Sequence, residues 1–413
     1  MTQPGAGRLL AVLIANGLLR IASSAGGALI GFYLAALARA GRPFDAGLVG
    51  ALGVVVNVAE VAGALPVGLL ADRWSPRALL VLGALLGAAA TQVFGLGALV
   101  PLFYLARALQ GVATAAGGPA LLAHLTDVSR GDTARRGRIM SFYELSLLAG
   151  LALGGLVGGQ LWERFATLAF SMLAAAYLLA AALFGWGAGG GTQAPGAAAA
   201  PLAGLWRALA DPLLRRLAPA WLAMNAIIGL WLTHIAFQLS GPPAVGQYLV
   251  GRFSPGQVGA ILLGYALVFA AGVTLWGFLL ARVARVRALR ITIAAMLGAC
   301  LLIYLLNTSA GWPPALRWGV TALLALAIVA ESGFTPAGLA YLADVAGRSE
   351  GRGAAMGIYT LLLGLGSALG AGLGGALARE LALNGLVLGT AALAALALAS
   401  LGLLPAAGAE APQ

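Results

Sequence analysis

The sequence predicts an all-α membrane protein whose twelve transmembrane helices form two six-helix halves. Three observations lead there. Of 413 residues, 61% are hydrophobic and only 9% charged, at a mean hydropathy of +0.96, more apolar surface than a water-soluble domain of that length can bury. The apolar residues come in continuous runs of about twenty, enough to cross a bilayer as helix, without the alternation of barrel strands. The second half of the chain also repeats part of the first.

In chain order the runs fall at approximately 9-38, 46-70, 78-99, 101-123, 139-161, 166-187, 217-240, 256-281, 288-306, 316-342, 354-378 and 384-404. Met1 to Leu19 carries one Arg ahead of an apolar segment, as a signal peptide does. The run passes Arg20 and reaches Ala38, however, far beyond a signal core, so it reads as a first span that is retained. Spans 2 and 3 are separated only by the short stretch from Gly68 to Arg77 and so fold as a hairpin. Gly68 permits close backbone approach, Asp72 can accept from N–H groups at a helix start, and Arg73 and Arg77 offer planar donor forks. That is the chemistry of a latch, not of catalysis.

After span six, Gly187 to Pro201 is a Gly/Ala/Pro/Thr/Gln stretch that cannot bury a core and reads as a flexible linker. Trp206 to Arg216 suits a short amphipathic helix at the cytoplasmic surface. The expected organisation is therefore an N-terminal half (1-187), a linker (188-215) and a C-terminal half (216-413).

The repeat supports that division. Pro119-Ala-Leu-Leu-Ala-His-Leu-Thr-Asp127 is echoed by Pro336-Ala-Gly-Leu-Ala-Tyr-Leu-Ala-Asp344. Past a one-residue deletion, Arg136, Gly137, Met140, Tyr143, Gly154, Gly158 and Gly159 meet Arg352, Gly353, Met356, Tyr359, Gly370, Gly374 and Gly375. Span four aligns with ten and five with eleven, which means two parallel six-helix repeats.

All 24 basic residues are arginines, and the formal net charge is +11. They sit in short loops, without a basic stripe interleaved with aromatics, so the charge does not point to nucleic acid. Instead it reports topology: loops on the N-terminal side hold most of the arginines, which places both termini in the cytoplasm. The single Cys300 lies in an apolar run, excludes an intramolecular disulfide and reads as a packing residue. No His/Cys/carboxylate cluster has metal-ligand spacing, and there is no P-loop to bind ATP.

At these residues the chain resembles the major facilitator superfamily, over nearly its whole length. Gly68, Ala71, Asp72, Arg73 and Arg77 match the family's signature between helices 2 and 3, with Ser75 and Pro76 replacing the usual Gly and basic residue. A weaker copy, Gly277 to Arg282, has Ala281 in place of the Asp. Arg107-Ala-Leu-Gln110-Gly111 looks like the family's Arg-x-x-Gln-Gly motif. Gly150, Gly154, Gly155, Gly158 and Gly159 on helix 5 resemble the helix-packing motif of its drug/proton antiporter branch, although Gly155 stands where that branch has Pro. The resemblance implies that helices 1, 4, 7 and 10 line a central cavity, that 2, 5, 8 and 11 form the seam, and that transport proceeds by alternating access.

Five ionisable residues lie inside spans: Arg20, Glu60, Arg107, Glu144 and Glu331. Each costs about 2.5 to 3.5 kcal/mol at a helix centre and so faces a partner or a wet cavity. Arg20 belongs to a stripe with Asn16, Ser23, Gly27 and Gly31 and falls near mid-depth, as does Glu60 on helix 2. The two can pair, either as an anion-binding or proton-responsive couple or as a structural bridge. Glu331, on a face with Thr335 and Gly338, is the best single candidate for a proton or cation site; the bland alternative is a hydrogen bond to a neighbouring helix. Arg107 shares its stripe with Gln110, Gly111, Thr114 and Gly118, and serves either proton coupling or helix anchoring. Glu144, expected a turn or two inside helix 5, suits a gate salt bridge with a loop Arg, and Asp127 suits a charge cluster with Arg73 or Arg77.

On helix 7, Asn225 and His234 occupy nearly opposite faces, of which Asn225 is favoured for the cavity. His124 is expected at headgroup level. Trp221, Trp231, Trp276, Tyr265 and Phe269 can stack on a substrate, although Trp276, along with Trp312 and Trp318, better suits an interfacial belt.

The functional expectation is a secondary transporter, monomeric and cofactor-free, in the inner membrane of a bacterium, exchanging protons for amphiphilic drugs or metabolites that it exports. The rival within transport is uptake of an anionic metabolite clamped by Arg20 and Arg107. A membrane-embedded enzyme would need an acidic metal cluster or a nucleophile and base that the sequence lacks, and a transporter-like sensor would need a soluble signalling domain.

Overall fold

In lipid a chain must satisfy its own backbone groups, and an apolar run does so as helix. The computed structural model describes residues 6–71, 74–129, 133–189, 212–346 and 352–403, and among these there is no strand. The helices are α1 (Ala6–Arg39), α2 (Ala46–Ala71), α3 (Pro76–Gly95), α4 (Val100–Val128), α5 (Thr133–Phe165), α6 (Leu168–Gly187), α7 (Pro212–Ser240), α8 (Pro255–Leu279), α9 (Arg285–Asn307), α10 (Pro314–Glu331), α11 (Phe334–Ala346) and α12 (Arg352–Ser400), closed by a 3-10 turn at Leu401–Leu403. Each of the twelve predicted runs falls on helix. The tenth is split at Ser332 and Gly333 into α10 and α11, while the eleventh and twelfth are the two arms of α12, broken at Ala382. Ten stretches of the described residues are long and apolar enough to cross a membrane, and the last of them, Leu361–Ser400, contains that break.

The amphipathic helix expected at Trp206 to Arg216 begins outside the described residues, as do Asp72 and Arg73 of the latch. On the far side of the latch, Ser75 caps α3: its Oγ accepts from Ala78 N at 3.3 Å, and Pro76 follows at the first helical position. The Ser-Pro pair that departs from the family signature is thus a helix start.

The helices gather into two compact units, Met1–Arg42 with Leu52–Ala199 and Ser254–Leu263, and Pro43–Ala51 with Ala200–Phe253 and Gly264–Gln413. In the first, α1 packs on α5 and α6, and α3 on α4 and α6. A methyl on Gly187 would meet Arg8 O at 2.7 Å, so the end of α6 returns to the start of α1. In the second, α7 packs on α12, and α9 on α10 and α12. Leu217 near the start of α7 shares a core cluster with Leu401, so this unit also closes on its own beginning.

Glycines set the pairing of α1 with α5 and of α7 with α12. A methyl on Gly150 would lie 2.6 Å from Arg20 Cβ, and one on Gly158 would lie 2.7 Å from Ala25 O; Gly154 abuts Ser24. The counterparts Gly366, Gly370 and Gly374 abut Asn225, Ala226 and His234 at the same spacing. The repeat reaches the turns as well. The positive-φ non-glycine residues of the described chain are Ala166 (φ 48), between α5 and α6, and Ala382 (φ 49), between the arms of α12. They stand as far apart in sequence as Gly154 and Gly370 do.

At one end of the first unit Tyr33, Phe94, Phe103, Trp162 and Phe170 interlock, with Phe94 and Phe103 stacked at 4.4 Å. At one end of the second unit the loop after α7 is pinned by Asn307, which is fully buried. Its Oδ1 accepts from Leu249 N at 3.0 Å, and its Nδ2 donates to Gln247 Oε1 and Asn384 Oδ1, each at 2.9 Å.

Candidate functional site

In the first unit the two polar stripes read from the sequence meet. Asn16, Arg20 and Ser23 of α1 and Gln110, Thr114 and Gly118 of α4 line one cavity of about 40 Å³, closed by Leu80 and Gly83 of α3 and by Tyr177 and Phe184 of α6. That volume holds water and is far below the several hundred Å³ of a drug-sized pocket. Asn16 is 1% exposed, and its amide donates to Ser146 Oγ on α5, whose hydroxyl donates to Tyr143 O at 2.6 Å. Tyr177 is hydrogen-bonded to Ser23 and lies within electrostatic reach of Arg20 and Arg107. Tyr177 lay outside the candidates; it sits on a helix whose composition is apolar all round, so nothing in its periodicity marks it.

Arg20 and Glu60 come within electrostatic reach of each other. Among the described residues they form no ion pair, and Arg20 Nε is buried without a hydrogen-bond partner. The expected couple is therefore a long-range one. Arg107, by contrast, is committed: its Nε donates to Leu52 O on α2 at 3.2 Å and its Nη1 to Gln110 Oε1 at 2.6 Å. Gly111 completes the motif, because a methyl there would lie 2.7 Å from Ala59 Cβ and 2.8 Å from Glu60 N. Arginine anchors α4 to α2 where glycine lets the two backbones touch.

Glu331 is the buried acid of the second unit, 6% exposed, with Oε2 unpartnered. Tyr265 of α8 and Cys300 of α9 lie within its electrostatic reach. It ends α10 where the tenth span breaks. The carbonyls of Val329 and Ala330, freed by that break, accept from the indole N–H of Trp276 at 3.2 and 3.0 Å, and Gly333 lies directly against the same ring. Trp276 is 5% exposed, so it caps a helix end and does not belong to an interfacial belt.

Other candidates are placed as follows. Asn225 donates to Trp221 O at 2.8 Å on its own helix, and His234 Nε2 lies 3.0 Å from Ala371 O. Both abut the glycines of α12, Gly366 and Gly374 respectively. Both residues therefore pack against α12. Glu144 is exposed, three turns inside α5, deeper than the sequence predicts. Asp127 and Arg77 are exposed, and Gly68 lies in the last turn of α2. His124 is buried near Asp127, close to the C-terminal end of α4. Of the helix 5 glycines, Gly150, Gly154 and Gly158 meet α1, whereas Gly155 and Gly159 meet Leu262, Pro255 and Gly259. Trp221 is buried against Phe334, Trp231 donates to Thr390 Oγ1 at 2.8 Å, and Tyr265 packs on Phe269 at 5.7 Å. Trp318 is 72% exposed.

A repeated helical unit that buries a few charged residues among apolar spans is the architecture of a multi-pass membrane protein. The model of the Major Facilitator Superfamily matches residues 17–243 and 220–412, and the chain belongs to that family. Solved structures share the fold. The nucleoside transporter NupG aligns at a TM-score of 0.75 and 15% identity over 96% of this chain and 98% of that one. The peptide transporter POT in complex with sulfate aligns at 0.71 and 17%, over 97% and 96%. A bacterial homologue of the human lysosomal transporter Spinster, inward-facing and unoccupied, aligns at 0.68 and 16%, over 97% and 95%. At these identities the likeness is one of fold. Among curated protein sequences none matches this chain.

Proposed function

We propose that the protein is a proton-coupled secondary transporter that exports amphiphilic drugs or metabolites by alternating access, working as a monomer in the bacterial inner membrane with both termini in the cytoplasm. The observation that carries this reading is Glu331: a carboxyl buried mid-span, with Oε2 unpartnered, beside Tyr265 and Cys300. A buried carboxyl without a fixed partner can bind and release a proton as its surroundings change. Family membership supports small-molecule transport, and relatives of the same fold carry substrates as different as nucleosides and peptides.

A second reading, proton-coupled uptake of an anionic metabolite, is favoured by Arg20, whose Nε is unpartnered at the cavity of the first unit. Arg107 contributes less to such a clamp, because two of its donors are spent on Leu52 and Gln110. Proteoliposomes with an imposed pH gradient and a panel of cationic, neutral and anionic amphiphiles separate the readings. Export predicts substrate-dependent proton flux that Glu331→Gln abolishes for cationic compounds. Flux with anions alone, lost in Arg20→Gln, supports uptake. Flux untouched by Glu331→Gln refutes the assignment of the proton site.

A further inference from the structure

The loop after α7 presents Tyr248 against two arginines. Arg252 Cζ lies 4.0 Å and Arg317 Cζ 4.7 Å from the Tyr248 ring centroid, so the two cations stand at most about 9 Å apart, near the screening length of physiological salt. Among the described residues neither guanidinium has a carboxylate or a hydrogen-bond acceptor. A guanidinium held over an aromatic ring by its charge still has N–H donors to offer a further partner. Both charges also sit at helix starts, Arg252 just before α8 and Arg317 in the first turn of α10, where the helix dipoles add further positive potential.

The platform is rigid. Tyr248 N donates to Asn307 O at 2.6 Å and Leu249 N to Asn307 Oδ1 at 3.0 Å, while Gln247 Nε2 donates to Leu381 O at 2.8 Å. The fold thus holds two like charges together beside a pinned ring, with no group among the described residues to neutralise them. Beside them runs an apolar track. Trp318 and Leu316, next to Arg317, are 72% and 50% exposed, and Leu323 and Leu326 continue the exposed face at 54% and 66%. Gly319 lies between them with nothing within 4 Å of where its methyl would be.

The geometry points to a binding site for a phosphate group at Arg252, Tyr248 and Arg317, supplied by the headgroup of an anionic phospholipid whose acyl chain lies along Leu316, Gly319, Leu323 and Leu326. Paired N–H donors match phosphate oxygens, and an exposed Trp beside a basic site suits the depth where headgroup meets hydrocarbon. The site is separate from Glu331, and its test does not depend on transport.

The test compares the full chain with the double variant Arg252→Gln/Arg317→Gln, which removes both charges and leaves a shorter, neutral polar side chain at each position. Native mass spectrometry from detergent with added phosphatidylglycerol or phosphatidylcholine reads lipid retention, and the ligand-free melting temperature checks the fold. Phosphatidylglycerol should be retained at least tenfold better by the unaltered protein than by the double variant, with phosphatidylcholine showing a smaller difference. Inorganic phosphate alone is the second arm. If it stabilises the unaltered protein but not the double variant while lipid retention is equal, the phosphate group comes from solution and the lipid assignment falls. Equal retention of phosphatidylglycerol and equal response to phosphate would overturn the site altogether. Should the double variant unfold, the single Arg252→Gln variant, whose arginine lies in the loop and not in a helix, carries the same comparison.

Discussion

A single methyl on Gly158 tests how α5 is held against α1. It would sit 2.7 Å from Ala25 O and 3.2 Å from Ala25 Cα, both main-chain atoms that cannot rotate away. Non-bonded heavy atoms settle at about 3.5 to 4.0 Å, so the helices must part, and overpacking of this kind costs about 1 to 3 kcal/mol. The same substitution gains about 1 kcal/mol of helix propensity, which would mask part of the loss. Gly27 on α1 supplies the reference, because its methyl would meet nothing within 4 Å. Gly27→Ala takes the propensity gain without the collision, and the gap between the two variants isolates packing. Gly158→Ala should be less stable than Gly27→Ala by about 1 to 3 kcal/mol in an SDS titration of the purified protein followed by tryptophan fluorescence. Gly366→Ala, whose methyl would meet Asn225 Cβ at 2.7 Å and Leu222 O at 2.8 Å, should behave like Gly158→Ala. If both variants unfold at the same SDS fraction as Gly27→Ala or a higher one, the glycines do not set the helix pairing.

Two further outcomes are expected. Asn307→Ala strands the Leu249 N–H and removes one hydrogen bond each from Gln247 Oε1 and Asn384 Oδ1, at a cost of about 1 to 3 kcal/mol; amide exchange across residues 247–253 should accelerate, and unchanged exchange would show that the loop is held by something else. At Ala382 and Ala166, φ near +50, with ψ -132 at Ala382, costs a non-glycine residue about 1 to 3 kcal/mol, so Ala382→Gly and Ala166→Gly should raise the thermal unfolding midpoint despite the extra freedom of the unfolded chain; a fall in both would show that these turns carry no strain.

What the sequence makes legible here follows from which forces are local. The helical runs are readable because each must satisfy its own backbone in lipid, a condition written into every apolar residue. The glycine ladder is readable because a close helix contact needs small residues on one face, and Gly150, Gly154 and Gly158 declare that spacing along with their counterparts. The break at Ser332 and Gly333 is not readable. Glycine is common in spans, and although the Ser332 hydroxyl at the break donates to Val329 O, the donor that serves both freed carbonyls is the indole of Trp276, which lies far away in sequence. Tyr177 is hidden for a related reason: its hydroxyl matters only because Ser23 and Arg20 of another helix arrive beside it.

Asn225 and His234 show where periodicity itself misleads. On an ideal helix they point about 180° apart, which suggests that one faces a partner and the other does not. Residues four apart advance by about 40° around the axis, so a contact line running through Leu222, Ala226, Leu230 and His234 winds across the surface of α7 as two helices cross. Asn225 flanks that line at Gly366 and His234 ends it at Gly374. Both are therefore engaged by α12, and the face that looks elsewhere is the one bearing Ile228 and Leu232, which are 46% and 58% exposed. A helical wheel assigns directions at one level, whereas packing is decided along the length of the crossing, and residues two or three turns apart have to be read on that slanted line.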